Sequence, residues 1–497
     1  MKSHSSLRIH KGQRTIFIGH KPSFFRQHWP FRGALEKKGT AHLIVDLGFG
    51  DGGKGALAFR MADTLRSDRP NAAIIGFRYN GGPQAGHGIE YAPDCKVVVN
   101  QVPMATLAHP NNKGFLGAGM LVDLSRLQAE FDSLKINHGF DVKNRVFVSN
   151  AAFLVLPFHI DINRMQAAYQ GQAGHSTIGR GIFPAYLDQQ EGRGLQVRDL
   201  FLSEEELKQK IEILLQFNCT KAQGILSCSA GLVSRHYNPE HFELQYLYNL
   251  CRAWRSVFSE KIVDESQGLS YIKEQYEAGA SIVAEGSQGV LLDRVNGTYP
   301  YNSPTHAMAS ALNVSTSLPM DKFEAIGVFR PYMHRWDLGN APLPTEIIKP
   351  GKEHNPLRDD VRGDNSPLQQ IFRIGWLDLE LLKYSLRLNP EIQGLFISCL
   401  DRLDSLSQVK IAQRYEGRSL QGINQTERDT TLTDILRQAT PIYREFPGWQ
   451  REIGQINSFD GLPREAKELI WFIQKQLEVD VYGIGVGAGI DQIIIRD

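Results

Sequence analysis

His42-Leu-Ile-Val-Asp-Leu47 is a short apolar run that breaks into Gly48-Phe-Gly-Asp-Gly-Gly-Lys-Gly55, and helical spacing follows from about Gly55 to Leu65. An apolar run cut off by glycines and succeeded by a 3.6-residue period reads as a buried strand, a tight turn and a helix. The unit recurs. Ala72–Tyr79 reads as a second strand with its own glycine turn. Arg145–Ser149 reads as another, Ser281–Glu285 as one that ends in glycine, and Glu391–Cys399 as one that ends near Asp401. Leu121–Leu134 and Glu204–Gln216 have helical spacing, and the apolar run Ala152–Phe158 suits a buried strand. Strands alternating with helices predict an α/β fold, with a large, mostly parallel, twisted sheet covered by helices. In such sheets ligands bind at the carboxyl ends of the strands, which is where these glycine turns fall. The polar, Pro/Gly-rich stretch 350–370 reads as a long loop.

The first turn meets the spacing GxxxxGK at Gly48, Gly53 and Lys54. Glycines here let successive backbone N–H groups face an anion just where a helix begins, and Lys54 adds a positive charge for phosphate. A standard P-loop carries Ser or Thr after the Lys as a magnesium ligand; this chain has Gly55, which disfavours a plain P-loop NTPase. Asp51 inside the turn would repel phosphate, and makes chemical sense if it binds a metal or takes a proton. The competing reading is a plain strand–helix turn with no ligand.

Composition bounds the alternatives. The chain has 497 residues, 42% hydrophobic and 22% charged, which excludes wholesale disorder and allows a core without disulfide or metal staples. Lys+Arg 55 against Asp+Glu 54 leaves a net charge of +1, so a globally basic nucleic-acid coat is excluded. The five cysteines, Cys95, Cys219, Cys228, Cys251 and Cys399, form no CxxC pair or Cys/His cluster. Neither a disulfide framework nor a zinc site is indicated, and a reducing cytoplasm is the expected setting. No stretch approaches the roughly 18 apolar residues of a membrane span. Residues 1–40 are basic and acid-poor, with Glu36 their one acidic residue. They read as a flexible arm, with an organelle-targeting leader as the alternative, ahead of one domain over 41–497.

Four further segments extend the pattern: Arg78-Tyr-Asn-Gly-Gly-Pro-Gln-Ala-Gly-His87, Gly179-Arg-Gly-Ile-Phe-Pro-Ala-Tyr186, Glu285-Gly-Ser-Gln-Gly-Val-Leu-Leu-Asp-Arg-Val-Asn-Gly-Thr-Tyr-Pro-Tyr301, and Gly375-Trp-Leu-Asp378. With the first turn, and with Pro342-Leu-Pro-Thr-Glu346 and Leu400-Asp-Arg-Leu-Asp404, their order resembles the adenylosuccinate synthetase family from about residue 42 onward. The resemblance implies a P-loop-like, GTP-dependent synthetase architecture with inserted subdomains, acting as a homodimer with Mg²⁺. In that family GTP phosphorylates the 6-oxygen of IMP, and the amine of aspartate displaces phosphate to give adenylosuccinate. Residue by residue, it implies Asp51 as catalytic base and magnesium ligand. His87 becomes the catalytic histidine at the 6-oxygen, and the Gly86 carbonyl a second magnesium ligand. Gly50, Gly52, Gly53, Lys54 and Gly55 are implied for the GTP phosphates, and Asp401 for its guanine. Gln84, Ala85, Gly86, Thr177, Gln288 and Thr298 are implied contacts to the purine nucleotide.

The pattern also breaks. The family's Glu after the catalytic Asp is Gly52, and the second Thr of its phosphate-contacting pair is Ile178, after Thr177. The arginine that crosses the family's dimer aligns with Gly192, so Arg193 is the expected stand-in. The arginine-rich run that binds the carboxylates of aspartate is reduced to Gln369-Gln-Ile-Phe-Arg373, leaving Arg373, with Arg358 and Arg362 as candidates from the long loop. Gln and Phe cannot replace bidentate guanidinium–carboxylate pairing. A lysine that reads guanine in the family is Cys399. Two alternatives therefore stand beside the ligase reading. One is a paralog using another purine nucleotide, such as a deoxyguanylate, or another amine or donor. The other is a catalytically silent nucleotide-binding protein.

Overall fold

The computed structural model describes residues 7–11, 14–18, 39–92, 95–171, 177–265, 270–347, 371–417, 419–420 and 431–496. The 350–370 loop, with Arg358, Arg362 and Gln369, falls outside the described residues. Within the basic 1–40 segment, Leu7–Lys11 and Arg14–Ile18 pair as an antiparallel ribbon.

A ten-stranded sheet organises the chain. Its spatial order is Ile262–Val263, Val146–Ser149, Lys113–Leu116, Ile74–Arg78, Ser281–Glu285, Thr40–Asp46, Phe323–Phe329, Ile392–Ile397, Val481–Gly485 and Ile493–Ile495. Every neighbouring pair is parallel except the last, which is antiparallel. Along Thr40–Asp46, Leu43 and Val45 join one buried apolar cluster and Ile44 the other, the two-residue alternation of a strand covered on both faces. That explains the near-continuous apolar run in the sequence. The centre of the sheet sets three strand ends side by side: Glu285 is in register with Ile44 on one side and Arg78 on the other. The glycine turns after Asp46, Arg78 and Glu285 therefore leave from one edge.

A second, four-stranded sheet orders Tyr332–Asp337, Ile371–Asp378, Gln408–Tyr415 and Pro441–Pro447, with the two outer pairs antiparallel and the central pair parallel. It is built from chain inserted around Ile392–Ile397 of the large sheet. Helices Pro157–Gln170, Glu204–Val233 and Leu244–Phe258 pack together on the other flank.

The sequence expectations shift in three places, each for a local reason. Leu121–Val122 is a two-residue strand, and the helix starts at Leu124 because Asp123 caps it, accepting from Arg126 N at 3.0 Å. Ala152–Phe158 keeps only Phe153–Leu154 as strand, since Pro157 opens a helix, a position that needs no N–H. The helix read as Glu204–Gln216 continues to Val233, with a non-helical break at Ser229 and a Ser203/Glu206 capping box at its start.

Gly375-Trp-Leu-Asp378 ends in a cap. Asp378 accepts from Glu380 N and Leu381 N at the start of helix Leu379–Leu388, and from the Tyr415 hydroxyl at 2.7 Å. Burial pushes its carboxyl up to about 7 against those hydrogen bonds. The folded chain then holds a proton that the unfolded chain releases above about pH 4. This group's contribution is fully favourable below that pH and is lost as pH rises toward 7. In urea titrations the wild type should lose stability relative to Asp378→Asn between pH 4 and 7. A constant difference over that range would show that Asp378 is ionised throughout.

Candidate active site

The first turn bends through left-handed backbone at Gly50 (φ 94°), Asp51 (φ 52°) and Gly53 (φ 97°) before helix Lys54–Asp68 begins. Asp51 is strained there, because a Cβ disfavours positive φ. Two other turns at the same sheet edge each hold a left-handed non-glycine: Gln288 (φ 60°) after Glu285 and Cys399 (φ 55°) after Ile397. Among the described residues there are five such non-glycines, so three of the five meet at one edge. Strain of this kind collects at functional sites. The turns touch. A Cβ at Gly50 would lie 3.6 Å from Gln288 Cα, and one at Gly53 would lie 2.7 Å from Ser398 Cβ. The Ser398 hydroxyl donates to Gly52 O at 2.7 Å. The C-terminal turn Gly485–Gly489 joins them, with Gly485 against Cys399 and Ala488 O accepting from Glu90 N.

Asp51 is exposed, and its backbone carbonyl accepts from Arg330 Nε at 2.8 Å. Lys54 is buried and donates to Asp46 Oδ2 at 2.9 Å and Gln288 O at 2.8 Å. His87 sits directly against the first turn: a Cβ on Gly55 would lie 2.9 Å from His87 Cβ. This is a physical reason for glycine where a P-loop has Ser or Thr. The imidazole is itself buried, and its Nδ1 lies 2.5 Å from Glu285 Oε2, while Glu285 Oε1 accepts from Met104 N at 2.5 Å. Burial, helped by Arg78, pushes His87 down to about 4 despite Glu285. Burial acts to raise Glu285, but His87 and Arg78 outweigh it and hold its carboxyl below the usual range. An ionised carboxylate only accepts, so Nδ1 carries the proton and Nε2 is the edge left for a ligand.

The second turn supplies a further sign of a missing partner. Gln84 Oε1 is buried with no hydrogen-bond partner among the described residues. Buried acceptors are as a rule paired, and where one is not, a bound ligand can supply the donor. Beside it Ala85 O accepts from Asn100 Nδ2, and Gly86 is exposed. Thr305 reaches the Gln288 side chain at 3.3 Å. Asp401, partly exposed, lies in the short helix Leu400–Leu403 just after Cys399.

Other sequence candidates are engaged within the protein. Thr177 Oγ1 donates to Asn163 and accepts from Gly179 N. Thr298 is fully buried, bonded to Tyr301 O and to Arg335. Arg193 pairs with Asp188 at 2.7 Å and with Glu191 and lies over Phe217, all within this chain. Arg373 is buried between Glu346 (2.6 Å) and Asp337 (3.0 Å), and donates to Ala341 O as well.

Sequence reasoning passed over three features. Arg330 holds the Asp51 backbone, with no motif to announce it. Asp46, read only as a strand residue, is the buried partner of Lys54. Arg180 feels two other guanidiniums: burial first, and then Arg126 and Arg164, weaken its hold on its proton, against Asp123, while Arg164 Nε donates to Gly179 O at 3.1 Å. Ile182 Cδ1 would lie 2.7 Å from a Cβ on Gly82, so the segment that follows Arg180 reaches the second turn.

Among the described residues no three His, Cys, Asp or Glu gather as a metal cage. One reachable carboxylate and an exposed backbone carbonyl suit Mg²⁺, which keeps phosphate oxygens and water in its shell rather than taking an all-protein cage. The parallel sheet with a phosphate-type turn, a carboxylate and an imidazole at its carboxyl edge defines a nucleotide-using enzyme of the α/β class. The comparisons narrow the class. The adenylosuccinate synthetase family model matches residues 43–494. Adenylosuccinate synthetase from Chlorobium chlorochromatii (strain CaD3) is 30% identical over 462 residues, covering 92% of this chain and 97% of that protein. The Mycobacterium marinum (strain ATCC BAA-535 / M) protein of the same name is 29% identical over 457 residues, covering 92% and 98%. The fully ligated adenylosuccinate synthetase of Plasmodium falciparum superposes with a TM-score of 0.75 at 24% identity, over 92% of this chain and 100% of that one. Succinoaminodeoxyadenylate synthetase of cyanophage S-2L, bound to dGMP and dATP, shares the fold more distantly, with a TM-score of 0.52 at 16% identity over 92% and 95%.

The chain belongs to the adenylosuccinate synthetase family. Its members are C–N ligases of purine biosynthesis that use GTP and Mg²⁺ to join aspartate to IMP.

Gly55→Ser should force His87 from its place. Overpacking of this kind costs about 1–3 kcal/mol. A modest fall in melting temperature with a larger fall in kcat is expected. Unchanged kcat would mean the contact is irrelevant to chemistry.

Proposed function

We propose that this chain carries out the family reaction, IMP, aspartate and GTP to adenylosuccinate, GDP and phosphate, and that Asp51 and His87 are its catalytic residues. The contact between the Asp51 turn and His87 through Gly55 carries the reading. The 6-oxygen of a purine is a poor leaving group, so it must become a phosphate ester before an amine can displace it. Asp51 is the base that removes the N1 proton, because it is an exposed carboxylate on a backbone that Arg330 holds through the Asp51 carbonyl. His87 presents Nε2 to the 6-oxygen, its ring fixed through Nδ1–H by Glu285, and on taking a second proton at Nε2 it donates to that oxygen as negative charge develops there. Gln84, Ala85, Gly86 and Gln288 line the purine side. Lys54 and the glycines of the first turn are the group for the GTP phosphates, and Asp401 for its guanine. Asp51 and the Gly86 carbonyl would hold Mg²⁺, which supplies charge neutralisation for phosphoryl transfer.

The carboxylates of aspartate need a free guanidinium, and Arg373 is already spent on Glu346 and Asp337. Arg180, with Arg126 and Arg164, is the cationic cluster left beside the second turn. These three mutually repelling charges are relieved by a dicarboxylate. The enzyme acts as a cytoplasmic homodimer, a state that sedimentation would read.

Purified protein with IMP, GTP, Mg²⁺ and aspartate should release phosphate. Asp51→Asn and His87→Ala should each lower kcat by about 100-fold or more. Arg180→Ala should raise the KM for aspartate by about tenfold or more with IMP and GTP constants little changed. Arg373→Ala should lower the melting temperature instead. No phosphate release with IMP, or with any other purine monophosphate, would overturn the assignment.

A further inference from the structure

The cradle expected to face phosphate already holds an anion, supplied by the chain. Asp46 Oδ2 accepts from Gly52 N at 2.7 Å and from Lys54 Nζ at 2.9 Å, and Oδ1 accepts from Gly48 N at 2.9 Å. Asp46 is 2% exposed and Lys54 4%, so bulk water satisfies neither. Backbone N–H groups at the start of a helix, together with a lysine, are the donor set that binds a phosphate group. The carboxylate uses two N–H groups of the turn and its one lysine.

Space around it is kept by two glycines. A Cβ at Gly52 would lie 2.7 Å from Asp46 Oδ2, and one at Gly289 2.8 Å from Oδ1. Gly52 is the position at which the family carries Glu. A glutamate there would collide with Asp46 and repel it, so this departure and the resident carboxylate belong together. Gly289 lies next to Gln288, whose carbonyl takes the other Lys54 hydrogen bond. The carboxylate, the lysine and both glycine turns thus form one closed arrangement.

We propose that Asp46 is a resident anion in the donor-phosphate cradle, and that it sets the affinity for the nucleoside triphosphate. Incoming polyphosphate must take Lys54 and the Gly52 N–H from Asp46, because two anions cannot share one lysine in so dry a place without strong repulsion. The inference rests on the reading of this turn as the GTP site. Asp46→Asn keeps an oxygen acceptor for the turn and removes the competing charge. Lys54 is then left without its carboxylate and is available to phosphate.

Calorimetric titration of GTP with Mg²⁺, and of inorganic pyrophosphate, into wild type, Asp46→Asn, Lys54→Ala and the double variant tests this. Asp46→Asn should tighten Kd for both ligands by about tenfold. The KM for GTP should fall with no rise in kcat, and Lys54→Ala should abolish the gain. A merely structural Asp46 moves affinity the other way. An Asp46→Asn protein that melts cooperatively yet binds GTP no better than wild type, or worse, overturns the proposal. If the Asn variant does not fold, Asp46→Ser, uncharged and still an acceptor, is judged by the same criterion. Binding is read without turnover, so absence of ligase activity would sink the function reading while leaving this result to stand or fall alone.

Discussion

A Cβ on Gly53 would come within 2.7 Å of Ser398, and one on Gly55 within 2.9 Å of His87. Gly52 and Gly289 are just as tightly placed around the Asp46 carboxylate. These approaches draw turns from separate strands into van der Waals contact at the edge of the sheet. No side chain larger than hydrogen fits at those points, so the geometry of the site is set by what the glycines omit. The left-handed strain at Asp51, Gln288 and Cys399 follows, since chain held this closely has little freedom to relax. The large sheet supports that strain by burying both faces of its central strands, which leaves the turns little room to move apart.

Charge is managed by the same closeness. Lys54, Arg78, Asp46 and Glu285 are all almost fully buried. Removing a charge from water is costly unless it is paired and hydrogen-bonded. Asp46 answers Lys54, and Glu285 answers His87 while also accepting from the Met104 backbone. Arg78 bonds Ser287, and the negative charges of Glu285 and Glu130 lie nearby. Asp46 pairs within its own turn, while Lys54 also reaches Gln288 O and the Glu285 and Arg78 pairings cross to other strand ends. The site comes as a connected set rather than as separate residues, and a change at one position is felt by the others.

Much of this was legible in the sequence and some was not, for physical reasons. The strand–glycine–helix rhythm from His42 predicted a parallel sheet because apolar period and glycine placement are local properties, and the ten-stranded sheet bears it out. The joining of the two glycine turns was also foreseeable, through the ordered motifs that carry the family resemblance. Asp46 looked like an ordinary strand residue, because nothing in Leu-Ile-Val-Asp-Leu says that its side chain turns back on its own loop. Arg330 and the partners of Arg373 come from pairings between distant segments, which no local pattern encodes. Where a cap or proline decided a boundary, as at Asp123 and Pro157, apolar spacing alone had set the edges of the elements wrongly.

The amino-acid side of the site shows how far identity of residue type is from identity of role. Arg373 survives in sequence where neighbouring arginines were lost, which suggests a carboxylate-binding remnant. Its guanidinium instead closes a loop onto Glu346 and Asp337 and braces the Pro342–Glu346 segment against strand Ile371–Asp378. A guanidinium that is buried and doubly paired cannot bind a substrate carboxylate without breaking both pairs, and leaving either acid unpaired in the interior is costly. Arg180 is in the opposite condition: the like charges of Arg126 and Arg164 act against it, with Asp123 as the acid that opposes them. An anion of two carboxylates lowers the energy of that cluster and raises the energy of the other. On electrostatic grounds the segment around Arg180 suits an acidic ligand better than strand Ile371–Asp378 does, which is why aspartate is proposed to bind there.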